Sequence, residues 1–73
     1  MPRKRSVAIR GHRTSFSLEQ PFYDELVAIA GRRGIATAAL VVEIDAARDD
    51  GTNLSSALRL YVLDWLKRAA AGG

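Results

Sequence analysis

Two kinds of side chain alternate along the stretch GHRTSFSLEQPF, residues 11–22. Arg13, Ser15 and Ser17 carry hydrogen-bonding groups, and they take turns with residues that suit a core: Thr14, Phe16 and Leu18. Because successive side chains of a strand point to opposite faces, this period of two predicts a half-buried β-strand over residues 12–18. Its polar face offers a guanidinium, which only donates hydrogen bonds, and two hydroxyls, which donate and accept.

The other residues with chemical potential do not form a catalytic or metal-binding set. His12 is the single histidine, the chain has no cysteine, and no carboxylate lies near His12 in the sequence. Asp24-Glu25 and Glu43-x-Asp45 have no accompanying nucleophile or phosphate loop. Side chains one or two residues apart on a helix do not share a face, so these acids are expected to be solvated or paired with cations. We therefore expect no enzyme activity, no cofactor, no metal and no small-molecule substrate.

The positive charge is concentrated at the N-terminus. The net charge is +3, but residues 1–13 carry +5 and the rest of the chain carries −2. A basic segment on a near-neutral body is typical of proteins that bind nucleic acid or an anionic surface, and a solubilising tail is the alternative. We expect a flexible basic arm over residues 1–6, and the bases of the wider segment are Arg3, Lys4, Arg5, Arg10 and Arg13.

Length and composition predict one domain, over residues 7–73, that associates with a second copy. A chain of 73 residues buries only about 60% of its unfolded surface, and without cysteine it has no disulfide to stabilise it. Its hydrophobic fraction of 48% is high for this size, which favours a homodimer that covers apolar surface. No apolar run approaches the roughly 18–20 residues of a membrane span, and no signal-peptide pattern follows the basic residues. We expect a cytoplasmic protein.

Helical spacing of apolar residues predicts three helices, over about 20–33, 37–48 and 54–70. Gly34 suits the end of the first helix, and Asn53 can cap the start of the third. The third helix is apolar around most of its circumference, which indicates burial on two sides and hence a second subunit. Residues predicted to form the core or the dimer interface are Phe16, Leu18, Phe22, Leu26, Ile29, Leu40, Ile44, Leu58, Tyr61, Val62 and Trp65.

The order of strand, helix, glycine turn and helix resembles the ribbon-helix-helix family of DNA-binding repressors, the MetJ/Arc/CopG type. The resemblance rests on RTSFSLE (13–19), the apolar spacing of the first helix, GIAT (34–37) and the apolar second helix. It covers about residues 12–48. The pattern EIDAAR…NLSSALRLYVLD (43–64) is similar to that of a bacterial subgroup with an added C-terminal helix.

The resemblance implies a mostly helical fold with one short strand per chain. Strands from two chains would pair antiparallel into one ribbon within an intertwined homodimer, and the ribbon would enter the DNA major groove. Arg13, Ser15 and Ser17 would then face the bases. Arginine can bind guanine O6 and N7 with two hydrogen bonds, so we expect Arg13 to discriminate more than the serines.

The resemblance also implies DNA phosphate contacts at the start of the second helix, at Ala36, Thr37 and Ala38. The family favours serine or threonine where this chain has Ala36, so either Thr37 caps a slightly shifted helix or the backbone binds alone. Further phosphate contacts are expected from the basic segment: Arg3, Lys4, Arg5 and Arg10. His12 is either such a contact or a solvated bystander. Residues 7–9 either extend the ribbon or pack on the body.

These features favour a sequence-specific, homodimeric regulator of transcription, a repressor in type, that binds double-stranded DNA at a palindromic site in the nucleoid. Higher oligomers on DNA are compatible with the sequence. Two alternatives are an antitoxin-type DNA-binding protein with a toxin-binding tail, and a protein-interaction or oligomerisation module without specific DNA binding.

Overall fold

The chain begins with a β-hairpin, and the computed structural model describes residues 2–72. Strand β1 (Pro2–Ile9) pairs antiparallel with β2 (His12–Glu19), in a register that places Pro2 opposite Glu19 and Ile9 opposite His12. Two residues make the turn, Arg10 with φ 52° and Gly11 with φ 80°. A type I′ turn needs positive φ at both central residues and matches the natural twist of the strands, so this turn closes the hairpin without splaying it.

The hairpin differs from the expected flexible arm over residues 1–6. Residues 2–6 belong to β1, and residues 7–9 extend the same strand. Val7 and Ile9 lie on the face that packs against the core, so the segment buries apolar surface that would offset the entropy of ordering it. One neighbour of β2 is therefore β1 of the same chain, and the pairing with a strand of a second chain, which the resemblance implies, stays a prediction.

Three helices follow, α1 (Gln20–Arg33), α2 (Thr37–Ala47) and α3 (Leu54–Gly72). α1 ends at Gly34, whose φ of 70° is the left-handed conformation common at helix C-termini. Asn53 caps α3, because its Oδ1 accepts a hydrogen bond of 2.8 Å from the Ser56 backbone N–H. The predicted fold class, mostly helical with a ribbon, two helices and an added third helix, is confirmed, but the chain has two strands where one short strand was predicted.

One hydrophobic core lies between the hairpin and the helices. The fully buried side chains come from β2 and from every helix, and they are Leu18, Leu26, Ile29, Leu40, Val41, Leu58 and Val62. Phe16 and Ile44 are also buried, while Phe22, Tyr61 and Trp65 are half-buried against the core. β2 thus contributes two large side chains, Phe16 and Leu18, at alternate positions of one face.

α3 buries one side and exposes the other. Leu58 and Val62 are buried, but Leu60, Leu63 and Leu66 are 59%, 50% and 44% exposed. Within a single chain the helix is therefore covered on one side only, and three leucines remain in contact with solvent. Such a row of exposed leucines is a common mark of an interaction surface.

Candidate nucleic-acid interface

The face of the hairpin that points away from the core combines both strands. The register pairs Lys4 with Ser17, Ser6 with Ser15, and Ala8 with Arg13. Directly paired residues point to the same side of a sheet, so these six side chains form one surface, called here the outer face: Lys4, Ser6, Ala8, Arg13, Ser15 and Ser17. All are exposed except Ser17, which is partly covered.

The outer face contains cations, hydroxyls and one methyl group, without an acidic side chain. Lys4, Ser6, Arg13 and Ser15 line a shallow depression on it. The expected outward residues of β2 therefore lie together, and β1 adds three residues that were not predicted to lie there. The signal that could have revealed them is the alternation of Lys4, Ser6 and Ala8, reflected through the two-residue turn at Arg10-Gly11.

α3 holds the end of β2 in place. The backbone N–H of Ser17 donates to Ser55 Oγ at 2.9 Å, and the Ser17 carbonyl accepts from Arg59 Nη2 at 3.4 Å. Arg59 also pairs with Glu19, with Nε 2.8 Å from Oε1 and Nη2 3.2 Å from Oε2. These hydrogen bonds lower the pKa of the Glu19 carboxyl below its ordinary value. α3 therefore occupies the outer edge of β2 at Ser17 and fixes the hairpin against the helices.

Arg5 points to the helical side of the hairpin. Its guanidinium lies 3.5 Å from the centre of the Tyr23 ring, a cation–π contact, and its Nη2 donates to Gln20 Oε1 at 3.0 Å. Its Nε is buried, and within residues 2–72 it has no hydrogen-bond partner. Arg5, Tyr23, Thr37 and Ala38 line one open cleft between β1 and the start of α2. The structure therefore brings Arg5 beside Thr37 and Ala38, all three of which were predicted to contact phosphate.

The start of α2 lacks a side-chain cap. Its N-cap residue is Ala36, with φ −68° and ψ 147°, and Thr37 is the first residue of the helix. The first N–H groups of a helix have no partner within it, and here no cap side chain satisfies them. Of the two arrangements left open by the sequence, the one in which Thr37 is the N-cap is not observed. Ala36 and Ala38 are exposed, so the backbone at this point is accessible.

The remaining predicted phosphate contacts lie apart from one another. Arg3 is exposed and lies opposite Leu18, on the other side of the pleat from Lys4. Arg10 and His12 are exposed at the turn, where they line a depression with Asp45 and Asp50. Arg48 lines the same depression and pairs with Asp45, so the acids there are partly neutralised, whereas no acid lies on the outer face.

Most of the acidic residues considered as possible catalytic pairs have structural partners. Glu43 forms a two-point ion pair with Arg33, with Nη2 2.9 Å from Oε1, and this contact lowers the pKa of the Glu43 carboxyl. Asp45 pairs with Arg48 at 2.7 Å, and Asp24 accepts a hydrogen bond from Gln20 at 2.8 Å. Over residues 2–72 no group of three histidine, cysteine or acidic residues is placed to hold a metal ion.

None of the helices in this range is long and apolar enough to span a membrane.

A two-stranded ribbon with a basic, hydroxyl-bearing outer face, followed by helices that support it, defines a class of small nucleic-acid-binding domain. The comparison with protein families agrees. The family model described as a ribbon-helix-helix domain matches residues 2–66, and the chain belongs to this family. The family is one of DNA-binding, non-enzymatic domains, which supports a DNA-binding, regulatory role in general. No significant match was found among curated proteins or among solved structures.

Proposed function

We propose that this protein is a sequence-specific DNA-binding regulator of transcription, a repressor that acts by occupying its site. The observation that carries the proposal is the outer face, where Arg13, Ser15 and Ser17 lie on a two-stranded ribbon that α3 holds in position. Paired strands lie about 4.8 Å apart, and the major groove of B-DNA is about 12 Å wide, so the groove admits the ribbon.

Arg13 is the residue proposed to contribute most to base discrimination. Its guanidinium can donate two hydrogen bonds to guanine O6 and N7, which no other base pair edge accepts in the same way. Ser15 and Ser17 have short side chains that donate or accept, so they tolerate more than one base. The partial cover on Ser17 restricts its reach further than that of Ser15.

Phosphate contacts are proposed at the cleft between β1 and α2. The free N–H groups at the start of α2 favour an anion, and the nearby guanidinium of Arg5 adds a positive charge. Such contacts set the position of the ribbon and carry no sequence information.

A homodimer is the proposed functional unit. Leu60, Leu63 and Leu66 on α3 and Val27 on α1 are exposed apolar side chains, and burying them between two copies would add to a core that is small. Because α3 covers the edge of β2 at Ser17, we propose that the helices form this dimer and that each chain keeps its own ribbon.

Selection of binding sites from random DNA at fixed salt tests the proposal. Wild type is expected to enrich one site, and Arg13→Ala should bind it about 5- to 150-fold more weakly, which corresponds to roughly 1–3 kcal/mol, and lose the preference at one position. Arg68→Ala is the control, since it removes the same charge from an exposed side chain on α3, outside the matched residues 2–66. If Arg13→Ala binds all DNA sequences as wild type does, the ribbon does not read the bases.

The exposed leucines favour one competing function, a protein-interaction module that does not bind specific DNA. That module would self-associate tightly, and any affinity for DNA would be the same for all selected sequences. Binding measured at several salt concentrations separates the two, because DNA binding through cations weakens steeply as salt rises.

A further inference from the structure

The third helix contacts the end of the hairpin through two polar side chains on one of its faces. Ser55 and Arg59 are four residues apart on α3, so they lie on the same side of the helix. Ser55 Oγ accepts a hydrogen bond of 2.9 Å from the Ser17 backbone N–H, and Arg59 Nη2 donates to the Ser17 carbonyl at 3.4 Å. Both main-chain groups of Ser17 are therefore bound by α3.

Arg59 joins three elements at one guanidinium. Its Nε and Nη2 lie 2.8 Å and 3.2 Å from the two carboxylate oxygens of Glu19. Glu19 is both the last residue of β2 and the N-cap of α1. A two-point pair of this kind restricts the orientation of both groups as well as their distance. Because β2, α1 and α3 meet at this ion pair, it restricts the angle between the end of the ribbon and the helices.

The apolar contacts of the hairpin do not provide the same restraint. Phe16 and Leu18 are buried on the inner side of β2, and they attach the strand to the core. The hydrophobic effect is non-directional, whereas a hydrogen bond requires a defined distance and angle. The direction of the backbone at Ser17 is therefore set by Ser55 and Arg59.

We propose that Ser55 and Arg59 are positioning residues for DNA recognition, which hold the backbone of Ser17 so that the ribbon meets DNA in one orientation. This inference rests on the proposed DNA-binding function. Neither side chain is assigned a contact with DNA, and both act through the main chain of β2. Side chains that recognise a ligand need such support, because a site that is about 1 Å too loose loses its function.

A positioning role and a purely stabilising role predict different results for a folded variant. Non-specific binding depends on cations that contact phosphate, and Ser55→Ala removes no charge. Loss of positioning should therefore lower the affinity for the preferred site and leave the affinity for other DNA unchanged. If α3 only stabilised the fold, a variant that is fully folded would bind both kinds of DNA as wild type does.

The chain offers a matched control for each residue. Ser56 is next to Ser55, is also partly buried, and joins the Asn53 cap through its backbone N–H, which Ser56→Ala leaves in place. Arg33 forms a similar two-point ion pair between α1 and α2, and the side chains of Arg33 and Arg59 are 31% and 32% exposed. Arg33→Gln thus removes the same charge and the same kind of contact away from the ribbon.

The experiment measures DNA binding and amide hydrogen exchange in the full chain. The probes are the site that wild type enriches from random DNA and a DNA of unrelated sequence, and circular dichroism shows that each variant is folded. Ser55→Ala is expected to bind the enriched site about 2- to 10-fold more weakly and the unrelated DNA as wild type does. The Ser17 amide should exchange faster in this variant, and Ser55→Thr, which keeps the hydroxyl, should restore both properties.

The controls give the remaining expected results. Ser56→Ala should behave as wild type in both measurements. Arg59→Gln and Arg33→Gln should lose similar affinity for the unrelated DNA, because each removes one positive charge. Only Arg59→Gln should show a further loss at the enriched site.

Three results would overturn the inference. If Ser55→Ala frees the Ser17 amide but binds the enriched site with wild-type affinity, α3 only stabilises the fold, and the proposed function still stands on the result for Arg13→Ala. If the Ser17 amide exchanges no faster in Ser55→Ala, Ser55 does not hold this backbone. If wild type enriches no site, the proposed function fails, and the positioning role fails with it.

Discussion

Replacing Gly11 with alanine is expected to lower the free energy of unfolding by about 1–2 kcal/mol. Gly11 has φ 80°, and an L-residue held in the left-handed region costs roughly that amount. A Cβ built on Gly11 would meet no atom within 4 Å, so the substitution adds no steric clash and the backbone conformation accounts for the whole effect. In a domain of this size each kcal/mol lowers Tm by roughly 4–8 °C.

Two further glycines supply controls for the same chemical change. Gly31 lies inside α1 and a Cβ there would also meet nothing within 4 Å, so Gly31→Ala should stabilise the protein by roughly 0.5–1 kcal/mol. Gly34, with φ 70°, should behave like Gly11. Whether replacing a glycine with alanine raises or lowers the free energy of unfolding then depends on the φ angle at that position.

Urea unfolding followed by circular dichroism measures these differences. All variants need the same protein concentration, because the stability of a protein that dimerises depends on it. A chain of 73 residues can also be made by chemical synthesis, and D-alanine at position 11 favours positive φ. The D-alanine form should be at least as stable as wild type. If Gly11→Ala is as stable as wild type, residues 10–11 do not form this turn and the hairpin assignment is wrong.

Two more predictions concern association and pH. Leu63→Glu, at a position that is 50% exposed, should weaken self-association in sedimentation experiments and leave the fold intact. Ala70→Glu, at an exposed position of the same helix, is the control and should leave self-association unchanged. If both variants self-associate as wild type does, α3 is not part of the interface. The pKa values of Glu19 and Glu43 are lowered by Arg59 and Arg33, so their ion pairs contribute stability above about pH 4.5 and lose it as the pH falls through the lowered pKa. Urea midpoints measured from pH 6 to pH 2 should fall less steeply for Glu19→Gln, and an unchanged slope would count against the Arg59 contact.

Helical periodicity and strand alternation predicted much of the fold, because each reports directly on which face is buried. The alternation that begins at Thr14 corresponds to β2, with Phe16 and Leu18 inward. α1 ends at Gly34 in the left-handed conformation, and the sequence predicted this end because glycine adopts that conformation at little energetic cost. These are local properties, and local sequence is enough to determine them.

The first part of β1, residues 2–6, was predicted as an arm because its charges obscured its alternation, while residues 7–9 had been left open as a possible extension of the ribbon. Arg5 occupies a position on the core side of the hairpin, where a hydrophobic residue is expected, and its guanidinium lies on Tyr23, eighteen residues away, and donates to Gln20. The contacts of Ser17 with Ser55 and Arg59 span about forty residues. The spacing of residues within one segment gives no information on contacts between distant segments. The sequence therefore indicated the β2 half of the candidate site and not the β1 half.

A ribbon formed within one chain changes what dimerisation would contribute to recognition. If two chains had to share their strands, one ribbon would serve the dimer, and its two-fold symmetry would make the bases it reads symmetric. Under the proposed arrangement, in which β1 stays paired to β2 of its own chain, each chain would carry its own reading surface and the second copy would supply a second ribbon. A palindromic site would then arise from two directional half-sites in opposite orientations, at a spacing set by the α3 interface. Arg13→Ala should remove one position from each half-site in either arrangement, and the distance between the two lost positions separates them, because a shared ribbon would hold both arginines within the length of one ribbon.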